Sequence, residues 1–512
     1  MSTRLSQSFP AARSPVTEAQ DPDKKRQWFV LAFPAVLACL LALVTVIGSA
    51  AAVPFLLVLI PLVIWGAFRD TERALYVYFA WCWLDGTIRG MLHSDPASIV
   101  ARDIVLGVIT VGWGTQRLFN RDRDPIRVPP GTLLVVLFAV NCLLQIGNPY
   151  AAGLIQSIGG LKLHLSAIPL LFLGYDVIRR PGQVRAFFLF LTLMTLLVGT
   201  VSYVQYLHGP SWTWAHFPGS KEAISQNLSK FQTGEIRGMT VTWKPPGTMT
   251  GGGSTGAYIG IIFPLAFVLP LLSSRLGFPK AARGALIAVL LALLVFVFIN
   301  AVRSALVSAA CGIVLTGILI GGKLRLRVLA AVAVCVVLGS VAYVFSQGVS
   351  GGGVTNRFAS TFADPLDALH KDRRTFFEDA VYIVTNSPTG IGLGRIGGAA
   401  GRLGGGDIGS GINGFSEAYL GSIMYETGIL GGLLITALAL LFIWRNYSAL
   451  NRLRDADDKL LATAIVAILV IIFANFFVTP ILLGPPGSVL FWMLSGIALR
   501  SFSSTVRKES HL

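Results

Sequence analysis

Apolar runs of close to twenty residues recur along the whole of this 512-residue chain. A bilayer core about 30 Å thick takes roughly twenty residues to cross as a helix, so each run reads as a membrane span. Candidates lie at about 28–47, 51–68, 74–92, 101–119, 132–147, 154–174 and 186–207, and then at about 254–272, 286–301, 305–320, 328–345, 418–444, 460–480 and 488–499. The pattern predicts an all-α polytopic integral membrane protein with about fourteen transmembrane helices. The second run is tightly joined to the first, and the third carries Asp85 and Arg89, so it is expected to be re-entrant or broken. Residues 1–27 and 504–512 read as cytoplasmic tails, the first disordered, flanking a membrane domain of residues 28–503. Two long connections, at about 208–253 and 347–416, interrupt that domain.

Composition supports the pattern: 54% of residues are hydrophobic and 13% charged, too apolar a balance for an ordinary globular enzyme. The formal charge of +16 would suit a nucleic-acid binder, but its distribution points elsewhere. Alternating the connections from a cytoplasmic N-terminus puts 27 of the 41 basic residues and 12 of the 25 acidic ones on the inner side, so +15 of the +16 lies there. The basic excess is therefore a positive-inside topology signal, with both termini cytoplasmic and no nucleic-acid partner expected. The first run begins near residue 28, is long enough to span and lacks a small-residue cleavage site, so no cleavable signal is expected. Cys39, Cys82, Cys142, Cys311 and Cys335 all fall inside apolar runs, which suggests neither a disulfide framework nor a metal cluster.

The same parity puts both long connections outside, and connections of that length usually carry function. The first holds Trp212, Trp214, His216, Arg237 and the run Trp243-Lys244-Pro245-Pro246-Gly247, followed by Gly251 to Gly253. Aromatics beside glycines can face sugar or lipid, while Trp212 and Trp214 read first as interfacial anchors. In the second, Asp364-Pro365 is a good helix start, and Phe376, Ala380 and Val384, joined by Phe377 and Val381, predict a short amphipathic surface helix. Arg373 and Arg374 lie near its start and Asn386-Ser387-Pro388 ends it. The glycine-dense stretch from Gly390 to Gly414 reads as flexible, close backbone approach being the other use of glycine.

Charges at membrane depth carry more information, because each is costly unless paired or wet. Lys162 lies in the sixth run, Arg303 opens the tenth, Glu417 and Glu426 stand at the outer start of the twelfth, and Arg102 and Asp103 flank the fourth. Bases and acids converging on one face suggest an anion site, since guanidinium forks suit phosphate oxygens.

Four stretches give the chain a family likeness: Gly160-Leu-Lys162 leading to Ile168-Pro169-Leu170-Leu171-Phe172; Asn300-Ala-Val-Arg303-Ser304-Ala305-Leu306; Arg373 or Arg374 with the amphipathic helix and then Ser387-Pro388-Thr-Gly390-Ile-Gly392-Leu-Gly394; and Tyr419-Leu420 through Tyr425-Glu426-Thr427-Gly428-Ile429-Leu430-Gly431. In order and topology, from about residue 150 to 440, these resemble the bacterial O-antigen ligase and polymerase superfamily. The resemblance implies a glycosyltransferase, metal-independent and without cofactor, in the bacterial cytoplasmic membrane, joining polyprenyl-diphosphate-linked glycan units on the outer face. It implies Arg237, Arg303, Lys162 and Arg373 or Arg374 at the diphosphate, with Arg303 catalytic. Membrane lipid and other polysaccharide-assembly proteins would be its partners.

Two positions depart from that pattern. Ala301 and Val302 replace polar residues of the family's helix start, and Ser416-Glu417 stands where its ligases carry histidine and asparagine. No imidazole is expected there, so Glu417 becomes the candidate base and the polymerase-like branch is favoured over ligase-type transfer to a lipid or protein acceptor. A transporter is the competing class, but there is no clear repeat between halves and the polar sequence is concentrated in the two outer connections.

Overall fold

The computed structural model describes residues 29–30, 32–36, 66, 68–91, 96–119, 127–151, 153–216, 244–249, 252–272, 280–300, 302–320, 383, 385–395, 418–453 and 455–509. These form helices α1 (Thr71–Met91), α2 (Pro96–Phe119), α3 (Thr132–Leu144), α4 (Leu154–Leu165), α5 (Pro169–Val177), α6 (Pro181–His216), α7 (Gly252–Leu272), α8 (Lys280–Ile299), α9 (Arg303–Ile320), α10 (Tyr419–Leu450), α11 (Ala456–Asn475) and α12 (Gly487–Glu509), with no strand among the described residues. Among the described residues, six helical stretches are long and apolar enough to cross a membrane: Leu154–Val177, Pro181–Thr213, Ser254–Leu272, Lys280–Ile299, Arg303–Ile320 and Tyr419–Leu450. Of the expected runs, 28–47 and 51–68 are described at only a few positions and 328–345 lies outside the described residues; of the amphipathic helix expected from Asp364 to Thr385 only Ile383 and Thr385 are described, both helical.

The helices are amphipathic in the sense that lipid requires. On α3, Leu133, Val136, Leu137, Val140, Leu143 and Leu144 are exposed, while Phe138, Asn141 and Cys142 face inward. Exposed Leu154, Ile155 and Ile158 on α4 lie opposite a buried stripe of Ser157, Gly160 and His164, spaced i, i+3, i+7 on one helical face. Apolar residues outward and small or polar ones inward is the arrangement expected where hydrocarbon is the solvent and packing must come from close approach. At the centre, α11 is buried almost throughout and contacts α7, α9, α10 and α12.

Glycines set the closest crossings. A Cβ on Gly496 of α12 would strike the Leu171 carbonyl and lie 2.8 Å from the Tyr175 nitrogen of α5, and one on Gly174 of α5 would lie 2.6 Å from the Met493 carbonyl. Gly260 of α7 meets the backbone of Ala305 on α9 in the same way.

Ion pairs fix the lengthwise register of α2 against α4 and α5. At one end Asp103 of α2 meets Lys162 of α4 at 2.7 Å. At the other, Arg117 of α2 and Arg179 both pair with Asp176 of α5, which also accepts from Trp113 Nε1 at 2.7 Å. Asp103 and Arg117 are fourteen residues apart, as are Lys162 and Asp176, about 21 Å at helical rise. The two clamps therefore agree only if the segments run parallel, which is how α2 and the α4–α5 stretch lie.

The third run, expected to be re-entrant or broken, is one continuous helix, α1. Its charges need no break because Asp85 pairs with Arg89 at 2.7 Å within the helix and with Arg102 of α2 at 3.5 Å. The end of the first long connection is also packed inside: Pro245 to Met249 are buried among the helices. Gln205 exchanges two hydrogen bonds with the Gly247 backbone, at 2.7 and 2.8 Å, and the Thr248 hydroxyl donates to the Trp83 carbonyl at 2.6 Å. Trp212 is ring-stacked between His208 and His216, at 4.5 and 4.4 Å.

Replacing Gly496 with Leu should part α5 from α12. Overpacking costs about 1–3 kcal/mol where side chains can adjust, and here the obstacle is backbone. The measurement is thermal stability and size-exclusion profile of the full chain in detergent, with a lower melting temperature and loss of the monodisperse peak expected.

Candidate functional site

The site is organised by a break in α10. Gly428 has φ +75° and ψ 179°, a conformation essentially reserved for glycine, so the helix opens there and its backbone groups lose their usual partners. In apolar surroundings each must be matched elsewhere. Residues 387–395, the end of the second long connection, do much of this. Ile391 N donates to Tyr425 O at 2.9 Å, Gly392 N to Glu426 O at 3.1 Å, and in return Ile429 N donates to Pro388 O at 2.9 Å. Asn141 of α3 supplies the next bond, Nδ2 to Thr427 O at 3.1 Å.

The turn is also held from its other side. Gln145 donates to Thr389 O at 2.8 Å, Asn148 to Gly390 O at 3.0 Å, and the Arg395 guanidinium to Tyr150 O at 2.6 Å. Gly390, Gly392 and Gly394 have φ between +82° and +85°, and a Cβ on any of them would collide with backbone of α10, Ala151 or α4. A Cβ on Gly160 of α4 would in turn strike Gly394. Sequence reading favoured flexibility for this glycine-dense stretch. For Gly390, Gly392 and Gly394 the structure shows the other use, close backbone approach; residues 396–414 lie outside the described residues.

Beneath this turn, His164 of α4 meets Glu426 of α10, Nε2 to Oε2 at 2.8 Å, with side chains 0% and 2% exposed. The Tyr419 ring at the start of α10 lies 6.2 Å from the imidazole. The other nitrogen of the ring, Nδ1, is buried and has no hydrogen-bond partner among the described residues. Lys162, two residues earlier, points to a different face of α4 and joins a chain of charges. Arg89 pairs with Asp85, Asp85 with Arg102, Arg102 with Asp103 at 3.3 Å, and Asp103 with Lys162. This chain of three cations and two carboxylates lies at the same end of the helices as His164.

Arg303 begins α9 and is partly buried. Five residues on, the Ser308 hydroxyl accepts from Asn475 at the end of α11 at 3.1 Å, and Thr479, four residues beyond Asn475, accepts from Tyr419 N at 3.1 Å. Arg303 therefore lies at the end of the bundle where α10 starts. Of the residues picked out from sequence, Lys162 and Arg303 are thus placed at one end, while Arg237, Arg373, Arg374 and Glu417 lie outside the described residues.

Sequence reading overlooked His164. It counted Lys162 as the ionisable group of its run and found no imidazole near the start of the twelfth. An imidazole is there in space, carried by α4 and set against Tyr419. The available signal was a second ionisable residue in the same apolar run, which at membrane depth is a functional candidate by default. Compared with protein-family models, with curated proteins and with solved structures, the chain matches none.

Gly428→Ala should strain the break in α10, since its Cβ would lie 2.6 Å from Pro388 O. The φ/ψ region alone costs about 1–3 kcal/mol. Limited proteolysis of the full chain should show faster cleavage within residues 387–417 in the variant, because the turn loses its seat on α10.

Proposed function

We propose that this chain is a glycosyltransferase of the cytoplasmic membrane that joins polyprenyl-diphosphate-linked glycan units on the outer face, in the manner of a surface- or exopolysaccharide polymerase. One observation carries the reading. Three stretches singled out from sequence, around Gly160–Lys162, Ser387–Gly394 and Tyr419–Gly431, are more than 200 residues apart at the extremes yet meet at one end of the helices, through the close approach of Gly160 to Leu393 and Gly394 and the bonds of Glu426 with Gly392 and His164. The fourth, with Arg303, opens a helix at that end.

The chemistry asked of such a site is displacement at an anomeric carbon with a lipid diphosphate as leaving group. Fixed cations stabilise that departing charge, and preorganised electrostatics of this kind is commonly the largest catalytic contribution. Arg303 and the Lys162–Arg102 chain are suited to it, with Arg237 and Arg373 or Arg374 as further diphosphate ligands from the two outer connections. Glu417, two residues before Tyr419, is the carboxylate proposed to orient the acceptor. Membrane lipid and other polysaccharide-assembly proteins would be partners, with both termini on the cytoplasmic side.

A second reading, ligase-type transfer of finished glycan to a lipid or protein acceptor, is supported by one observation: an imidazole against Tyr419 removes the reason sequence gave for setting that branch aside.

Arg303→Ala should abolish polymer while the protein remains in the membrane at wild-type amounts. Glycan length analysis of a deletion strain complemented with each version checks this. Single lipid-linked units on the outer leaflet are expected for a polymerase, long carrier-linked polymer for a ligase, and units trapped on the inner leaflet for a transporter. Full-length polymer with Arg303→Ala would remove the diphosphate role.

A further inference from the structure

The proton of the attacking hydroxyl must go somewhere, and the fold presents a group built to take it. We propose that His164, held by Glu426, is the proton acceptor of the transfer reaction; this rests on the glycosyltransferase reading and names the base within it. With Glu426 as an ionised carboxylate, which can only accept a hydrogen bond, the 2.8 Å contact requires the imidazole proton on Nε2. Nδ1 is then the nitrogen with the lone pair. Fixing one ring nitrogen with a carboxylate so that the other is bare is the orienting logic of nucleophile–base–acid constellations. Leaving a buried polar atom without a partner is unfavourable, and Nδ1 is such an atom among the described residues. An acceptor hydroxyl donating to Nδ1 would make good that missing bond.

The surroundings favour a proton-taking role over an ion pair for packing alone. From α10, Glu426 and Tyr419 face the ring, and Cys142 of α3 lies within the field of the same carboxylate. On α4 itself Lys162 is turned away and engaged with Asp103, and Arg395 is engaged with Tyr150 O. The carboxylate of Glu426 is thus the negative charge in direct contact with the ring, placed to balance an imidazolium. Its main chain holds the 387–395 turn through Gly392, so the base and the second outer connection share one residue. The ring is enclosed in this structure, so the proposed role requires the site to open for the hydroxyl to reach it.

The step balances as follows. The acceptor oxygen bonds to the anomeric carbon while its proton passes to His164 Nδ1. The bond from that carbon to the diphosphate oxygen breaks, and its electron pair leaves with the lipid diphosphate. The imidazolium, neutralised by Glu426, then releases the proton to water.

The test uses the full-length protein in detergent with a polyprenyl-diphosphate-linked glycan, measuring glycan transfer and, with azide added, glycosyl azide. Azide is an anionic nucleophile that brings no proton to remove. Loss of a general base typically costs about 10²–10⁴-fold, so His164→Ala and His164→Gln should both lose transfer on that scale while forming glycosyl azide at the wild-type rate. Gln fills the space and still donates to Glu426, so a purely structural role predicts near-normal transfer with His164→Gln, a result that overturns the proposal. Equal loss of both reactions in a folded Gln variant overturns it too, by assigning His164 to binding or architecture. If Glu417→Gln, and not His164→Gln, shows the azide-rescued loss, the base is Glu417. Wild-type protein that consumes the lipid-linked donor with neither nucleophile would instead sink the glycosyltransferase reading itself.

Discussion

A polypeptide in hydrocarbon cannot leave a backbone group unmatched, and the break in α10 makes that demand at one place. Opening the helix at Gly428 releases the carbonyls of Tyr425, Glu426 and Thr427 and the amide of Ile429. Because water is not available to meet them, a second strip of chain must lie alongside, and it must itself be irregular enough to present amides outward. Residues 387–395 meet both conditions only because three of them are left-handed glycines. That strip then needs its own carbonyls matched, which draws in Gln145 and Asn148 just beyond α3 and Ser157 of α4. The arrangement around His164 follows from this one sequence of obligations.

The cations at the same end obey a related rule. A charge at membrane depth is tolerated when paired, and the chain from Arg89 to Lys162 pairs each one. Pairing also does mechanical work. Clamps at Asp103–Lys162 and at Asp176 hold α2 against the α4–α5 stretch at matching heights, so the side chains that α4 presents to α10 are set at a defined depth.

Much of this was legible in sequence because lipid imposes a length and an apolar character that a linear scan detects. The runs at 132–147, 154–174 and 305–320 agree with described helices to within a few residues. Lys162, Arg303 and Glu426 were visible as costly charges. What a scan could not give was pairing. Asp85 has, besides Arg89 on its own helix, a second partner seventeen residues away on another helix, and the partner of His164 is 262 residues away, separations that leave no local trace. The same holds for glycine: composition alone does not separate a glycine that moves from one pressed against backbone, and at Gly390, Gly392 and Gly394 the latter is the case.

The stitching between the turn and α10 has an evolutionary corollary. Its bonds run mainly from main chain to main chain, and its fixed points are positions where a side chain must be missing. Residues such as Thr389 and Ile391 contribute backbone atoms to it, so their identities are free to drift without loosening the seam. A scaffold of this kind can keep its shape through a handful of glycines and amides while the letters around them diverge.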